Sequence, residues 1–149
     1  MKPAALVLTG GFAAGSLDIA FACVFWRLKA GLGAERVLQS VAAGLMGKES
    51  FAGGAAAAGL GLVLHFAIAT AMALAYYLVA RQWPLLCRQA VACGIVYGLM
   101  LYGVMNFIVV PLSAAPPGSQ DPLWIATSIV AHVALVGVPI ALIGRRGFD

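Results

Sequence analysis

Residues 54–80 read "GAAAAGLGLVLHFAIATAMALAYYLVA", an apolar run that contains no Asp, Glu, Lys or Arg. A helix needs about 20 such residues to cross the hydrocarbon core of a bilayer, so this run predicts a membrane span. Its middle holds one imidazole, His65, between a leucine and a phenylalanine. An ionisable side chain at the centre of a span costs about 2.5–3.5 kcal/mol on insertion scales, so His65 needs a hydrogen-bonding or functional explanation.

Three further apolar runs, residues 4–26, 89–110 and 124–143, are long enough to span a membrane. The chain of 149 residues is 63% hydrophobic and 9% charged, whereas soluble domains carry about 25% charged residues. The first run continues to Trp26, beyond the apolar core of about 7–15 residues of a signal peptide, and is predicted to be retained. No run alternates with the period of a strand. We predict an all-α fold, an integral membrane four-helix bundle that forms a single transmembrane domain over residues 1–149.

The segment between the first two runs is too polar and too short to cross a membrane. Residues 34–47 nevertheless carry an apolar stripe at helical spacing. The stripe consists of Val37, Leu38, Val41, Leu45 and Met46. This pattern predicts an additional amphipathic helix that lies in the membrane interface or is re-entrant.

The net charge of +4 comes from nine Lys and Arg residues that lie almost wholly outside the apolar runs. Lipid headgroups and membrane topology explain such charges, and no basic patch indicates nucleic-acid binding. The loop before the fourth run lacks Lys and Arg, and the C-terminus is basic. We therefore expect a multi-pass protein of the bacterial inner membrane with both termini in the cytoplasm.

Three ionisable residues are expected at a common membrane depth on three different spans, namely Asp18, His65 and His132. At about 1.5 Å per residue, each lies about 12–14 Å from the end of its span on one side of the membrane. Helical spacing places each on a face that carries polar or small residues. These three residues are predicted to form a metal or proton site. The supporting polar cluster is expected from Tyr102, Asn106 and Ser128.

A carboxylate and two neutral imidazoles suit several ligands. They could bind a transition metal such as zinc, iron, copper or nickel. They could relay protons, because an imidazole changes charge near neutral pH. The two histidines could instead bind a haem iron from both sides, although no CxxCH attachment motif occurs. No HExxH, GxSxG or paired-carboxylate motif is present, so we expect no enzymatic activity.

A non-catalytic structural or partner-binding role is the other possibility. Small residues at helical spacing permit close approach of membrane helices, within the chain or between chains. The expected partners are the lipid bilayer and either a second copy of the chain in a homo-oligomer or another membrane protein. The small residues concerned are Gly11, Gly15, Gly94 and Gly98.

Two stretches resemble segments of known short membrane proteins. They are "VLQSVAAGLMGKESFAGGAAAAGLGLVLHFAIA" (residues 37–69) and "YGVMNFIVVPLSAAP" (residues 102–116). They are similar to segments of short, four-span bacterial inner-membrane proteins of unknown function, the YagU-like class. The resemblance implies a bacterial inner-membrane protein and carries over no functional residue.

Overall fold

A computed structural model of the chain describes residues 2–147. Within that range the protein is helical and contains no strand, and four of its helices are long and apolar enough to cross a membrane. The predicted all-α four-helix bundle is therefore confirmed. The four long helices are α1 (Pro3–Ala30), α3 (Gly54–Ala80), α5 (Ala90–Leu112) and α6 (Pro122–Gly147).

Two shorter helices lie in the connections. Helix α2 (Ala34–Met46) occupies the position of the predicted amphipathic helix, and a 3₁₀ turn (Gly47–Ala52) joins it to α3. Helix α4 (Leu85–Arg88) lies between α3 and α5. The chain can reverse after α1 because Gly31 adopts a left-handed conformation (φ 68°), in which its N–H bonds the carbonyl of Arg27.

Helices α5 and α6 each contain a π-helical turn, at Met105–Val109 and at His132–Gly137. Pro111 follows the first turn and Pro139 follows the second. A proline supplies no N–H to the carbonyl four residues earlier, and its ring collides with that carbonyl, so a wider turn relieves the conflict. Helix α5 continues past Pro111 to Leu112, two residues beyond the predicted run.

Close contacts between helices occur where the small residues lie. A Cβ atom added to Gly11 would lie 2.6 Å from the Cα of Thr70, so α1 and α3 meet backbone to backbone there. In the same way, a Cβ on Gly98 of α5 would lie 2.6 Å from the Cα of Val133 in α6. The small-residue faces therefore form the interior of this bundle.

The opposite end of the bundle from α2 is filled by a tight apolar core. Tyr76, Leu101, Val136 and Ile140 are all at most 5% exposed. The two tyrosine hydroxyls of this region donate hydrogen bonds to backbone carbonyls, Tyr76 to Leu86 at 3.1 Å and Tyr97 to Met72 at 2.7 Å. These bonds satisfy both phenols without leaving a polar group free in the core.

Asp121 connects the ends of two spans. Its carboxylate accepts hydrogen bonds from the backbone N–H groups of Leu123 and Trp124 and so caps α6. It also pairs with the Lys29 ammonium at 3.0 Å, near the end of α1. The hydrogen bond from Lys29, followed by those from the backbone, lowers the pKa of the Asp121 carboxyl.

We expect acid to weaken this connection. Because the folded-state pKa lies below the unfolded value of about 3.9, the stabilisation is fully present above that value and is lost as the pH falls through the folded pKa. Thermal unfolding in detergent between pH 6 and pH 3 should show a smaller acid-dependent loss of stability for Asp121→Asn than for the wild type. Glu49→Gln is the matched control and should behave like the wild type. Equal acid sensitivity of Asp121→Asn and the wild type would contradict this role for Asp121.

Candidate functional site

A cavity of about 250 Å³ lies inside the bundle, where α1, α3, α5 and α6 surround it and α2 contributes one wall. Asp18, His65 and His132, one from each of three helices, all line it. The remaining walls are mostly apolar. The three residues predicted to lie at one membrane depth thus line one cavity.

His65 is held by a backbone carbonyl of the neighbouring helix. Its Nε2 atom lies 2.8 Å from the carbonyl oxygen of Gly15. A carbonyl oxygen can only accept, so Nε2 carries a proton and donates it, which leaves Nδ1 as the nitrogen with a free lone pair in the neutral ring. The close approach is possible because Gly15 has no side chain. A Cβ there would lie 2.9 Å from the ring of Phe66.

Asp18 lies beside the same imidazole. Its Oδ2 atom is 4.0 Å from His65 Nε2, and the two side chains are 24% and 14% exposed. This distance is too long for a hydrogen bond but short enough for electrostatic attraction once the ring is charged. The carboxylate and the imidazole are therefore neighbours in the wall of one cavity.

His132 begins the π turn of α6 and has the opposite arrangement of ring nitrogens. Its Nδ1 atom lies 2.9 Å from the carbonyl oxygen of Ser128, so Nδ1 is the donor and Nε2 keeps the lone pair. The ring of Tyr102 packs edge-on against it, with 5.5 Å between ring centroids and an interplanar angle of 87°. His132 is thus oriented from two sides, by its own helix and by α5.

Both imidazoles keep one nitrogen that can accept a proton. Within residues 2–147, no buried side-chain nitrogen or oxygen lacks a hydrogen-bond partner. The second nitrogen of each ring is therefore not sealed in apolar packing. A cavity of this size has room for several water molecules, each of which occupies about 30 Å³ in the liquid.

The side chains of Asp18, His65 and His132 are not arranged as the ligands of a metal centre. Among the described residues, no three His, Cys, Asp or Glu side chains lie together as a group that could hold a metal ion. A zinc site takes three or four such ligands. The transition-metal expectation for Asp18, His65 and His132 therefore receives no support from their geometry.

A haem fits the cavity poorly. Pockets for drug-sized ligands measure about 300–1,000 Å³, which is larger than the space that His65 and His132 share here. A porphyrin bound by both imidazoles would have to displace the helices that now pack around them.

The predicted supporting residues are only partly brought to the site. Tyr102 contacts the ring of His132, and Ser128 is buried and supplies the carbonyl that orients that ring. The hydroxyl of Ser128 donates to Ile125 within its own helix, at 3.1 Å. Asn106 is exposed and donates to the carbonyl of Tyr102 at 2.9 Å, so it lies outside the cavity and its expected place in the cluster is corrected.

Several residues of the cavity were not predicted as part of it. Ser40 and Val41 of α2 line it, as do Met105 and Val109 of the first π turn. The π turns are frequent at functional sites and had a signal in the sequence, namely the proline directly after the third run and the proline within the fourth. No sequence signal indicated the position of α2. Amphipathic spacing predicts a helix but does not show which part of the bundle that helix packs against.

Comparison of the chain with protein-family models, with curated proteins and with solved structures gives no match. The resemblance to YagU-like proteins therefore stays a prediction. A functional assignment for this integral membrane protein depends on the chemistry of the cavity and its side chains.

Proposed function

We propose that this membrane protein takes up protons at His65 and His132 and passes them through the cavity that these residues share with Asp18. The observation that carries the proposal is the arrangement of the two rings. Each ring has one nitrogen committed to a backbone carbonyl and one with a free lone pair, and both residues line the same cavity. Such rings are orientated to accept a proton without first breaking a hydrogen bond.

Binding a proton requires fewer ligand atoms than binding a metal ion does. One lone pair is enough to bind it, whereas a metal would need several ligands at bonding distance. A proton on Nδ1 of His65 makes the ring cationic while Nε2 still donates to Gly15. The Asp18 carboxylate, 4.0 Å away, then offsets part of the cost of placing that charge at membrane depth. Water in the cavity would link the two rings.

The alternative of a partner-binding protein is weakened by the packing. The glycines that could have formed a face for a second chain are used between α1 and α3 and between α5 and α6. What remains on the outside is apolar surface of the kind that lipid covers. A homo-oligomer is compatible with the proton proposal, since it would leave the cavity within each copy.

We place the protein in the bacterial inner membrane with both termini on the cytoplasmic side. The positive-inside rule supports this orientation, because the C-terminal end of α6 is basic and the loop before α6 has no Lys or Arg. The cavity wall formed by α2 would then face the periplasm.

The test is proton flux into vesicles. Purified protein is reconstituted with an internal pH-sensitive dye, and a potassium gradient with valinomycin drives protons inward. We expect the wild type to acidify the vesicles faster than protein-free vesicles, and Asp18→Asn, His65→Gln and His132→Gln to fall to the protein-free rate. Asn106→Ala is the matched control and should keep the wild-type rate, since its side chain lies outside the cavity.

Unfolding in detergent separates loss of flux from loss of fold. Variants that unfold at the wild-type temperature but pass no protons support the proposal. Wild-type protein that is no faster than empty vesicles, or folded histidine variants that keep the full rate, would overturn it.

A further inference from the structure

A second cavity, of about 450 Å³, adjoins the one that contains the histidines. The two share three lining residues, Ser40 of α2, Val110 of α5 and Ala115 of the loop before α6. The second cavity, here called the outer cavity, is also lined by residues 116–119 of that loop. It therefore lies between the polar loop and the histidine cavity.

The side of the histidine cavity away from α2 is closed. Val136 lines the cavity there and is 4% exposed, and Leu101 and Ile140 behind it are 5% and 2% exposed. The tyrosine hydroxyls of this core are bound to backbone carbonyls. Neither cavity extends past these residues, so a proton that leaves on that side would require the packing of Leu101, Val136 and Ile140 to open.

One charged side chain stands in the outer cavity. Of the described residues that line it, Arg36 alone is ionised at neutral pH. Its position is fixed by Phe51, whose carbonyl oxygen accepts from Nη1 at 3.2 Å and whose ring lies 4.1 Å from the guanidinium carbon. Within residues 2–147, Arg36 forms no ion pair with a carboxylate.

We infer that the outer cavity is the entrance to the histidine site, that Ser40 lies at the junction, and that Arg36 gives the entrance a preference for anionic over cationic solutes. The positive guanidinium raises the energy of a cation in the outer cavity and lowers that of an anion. Dissolved cations, hydronium included, are disfavoured at such an entrance, so Arg36 would slow the entry of protons and not assist it. Calling the histidine cavity a site rests on the proposed function, but access and charge preference can be measured without proton flux.

Helix α2 carries the junction and is firmly seated. The carbonyl of Leu38 packs directly against Gly61 of α3, and the Gly44 carbonyl accepts a hydrogen bond from Ala114 N–H at 3.0 Å. The buried Gln39 amide donates to the Gly54 carbonyl at 3.2 Å. Ser40 itself is exposed. A reagent can therefore reach position 40 without moving the helix.

The experiment labels single cysteines in oriented vesicles. The natural cysteines, Cys23, Cys87 and Cys93, are first replaced by alanine. Ser40→Cys is then treated with an anionic and a cationic methanethiosulfonate reagent, each membrane-impermeant. Gly118→Cys in the loop reports the side from which the reagent arrives. We expect Ser40→Cys to react from the same side as Gly118→Cys and the buried Leu101→Cys to react from neither side, although it reacts after denaturation.

Charge preference is measured as the labelling rate with the anionic reagent divided by the rate with the cationic reagent. This ratio is compared with the same ratio for a small free thiol. At Ser40→Cys the anionic reagent should be favoured, and adding Arg36→Gln should return the ratio to that of the free thiol. Arg27→Gln is the matched control, because Arg27 is exposed but does not line the outer cavity, and it should leave the ratio unchanged.

The outcomes decide the inference separately from the proposed function. Absence of labelling at Ser40→Cys, labelling from the side opposite to Gly118→Cys, or a ratio that Arg36→Gln does not change would overturn the entrance. If Ser40→Cys is labelled as expected but the protein passes no protons, the proposed proton function is overturned and the inferred entrance is still supported.

Discussion

Gly98→Ala is expected to destabilise the bundle by about 1–3 kcal/mol, the usual range for overpacking a tight interior. A Cβ at position 98 would meet the carbonyl oxygen of His132 and lie 2.6 Å from the Cα of Val133. Both are backbone atoms, so no side-chain rotation can relieve the contact. The two helices must separate, and His132 moves with its backbone. The variant should therefore lose proton flux as well as stability.

Gly103→Ala is the matched control for this prediction. It lies in the same helix with nothing within 4 Å of an added Cβ. Alanine is favoured over glycine in a helix by roughly 0.5–1 kcal/mol, so Gly103→Ala should be neutral or stabilising. Unfolding in detergent measures both variants. Equal stability of Gly98→Ala and Gly103→Ala would contradict the close backbone contact between α5 and α6 at Gly98.

The second large effect is expected from Gly61→Ala, which should loosen α2. A Cβ at position 61 would collide with the backbone carbonyl of Leu38 and lie 3.2 Å from the amide nitrogen of Ala42. Overpacking of about 1–3 kcal/mol corresponds to roughly a fivefold to 150-fold increase in local opening. Hydrogen exchange of the amides of residues 37–43 measures this opening.

Gly59 provides the control in the same helix, because an added Cβ there meets nothing within 4 Å. Gly59→Ala should leave the exchange of α2 unchanged. Gly61→Ala should also weaken the charge preference at Ser40→Cys, because Arg36 and Ser40 are carried by the helix that shifts. Unchanged exchange in Gly61→Ala would show that α2 does not depend on this contact.

The spans could be predicted from the sequence because hydrocarbon thickness sets the length of an apolar helix. The runs at residues 54–80 and 89–110 differ from α3 and α5 by at most two residues at their ends. That Asp18, His65 and His132 line one cavity could also be predicted. Depth follows from the rise per residue, and the faces follow from helical spacing upstream of any irregular turn.

Asn106 shows why the rest could not be predicted. In a regular helix it would follow Gly98 and Tyr102 on one face. It lies instead in the π turn of α5, where the extra residue changes the direction of the side chains, and Met105 and Val109 face the cavity. The proline that signals such a turn does not state its exact extent. The position of α2 depends on Gly61, which lets the Leu38 carbonyl pack against α3. This contact can be identified only from the packed helices.

Imidazole nitrogen NMR tests the central claim most directly, since the two histidines are predicted to hold different tautomers. With ¹⁵N-labelled protein at alkaline pH, and with His65→Gln and His132→Gln used for assignment, His65 should carry its proton on Nε2 and His132 on Nδ1. On acidification the other nitrogen of each ring should gain a proton while the protein stays folded. Two results would contradict a proton site built from these residues. One is the same tautomer in both rings, and the other is a ring nitrogen that stays unprotonated until the protein unfolds.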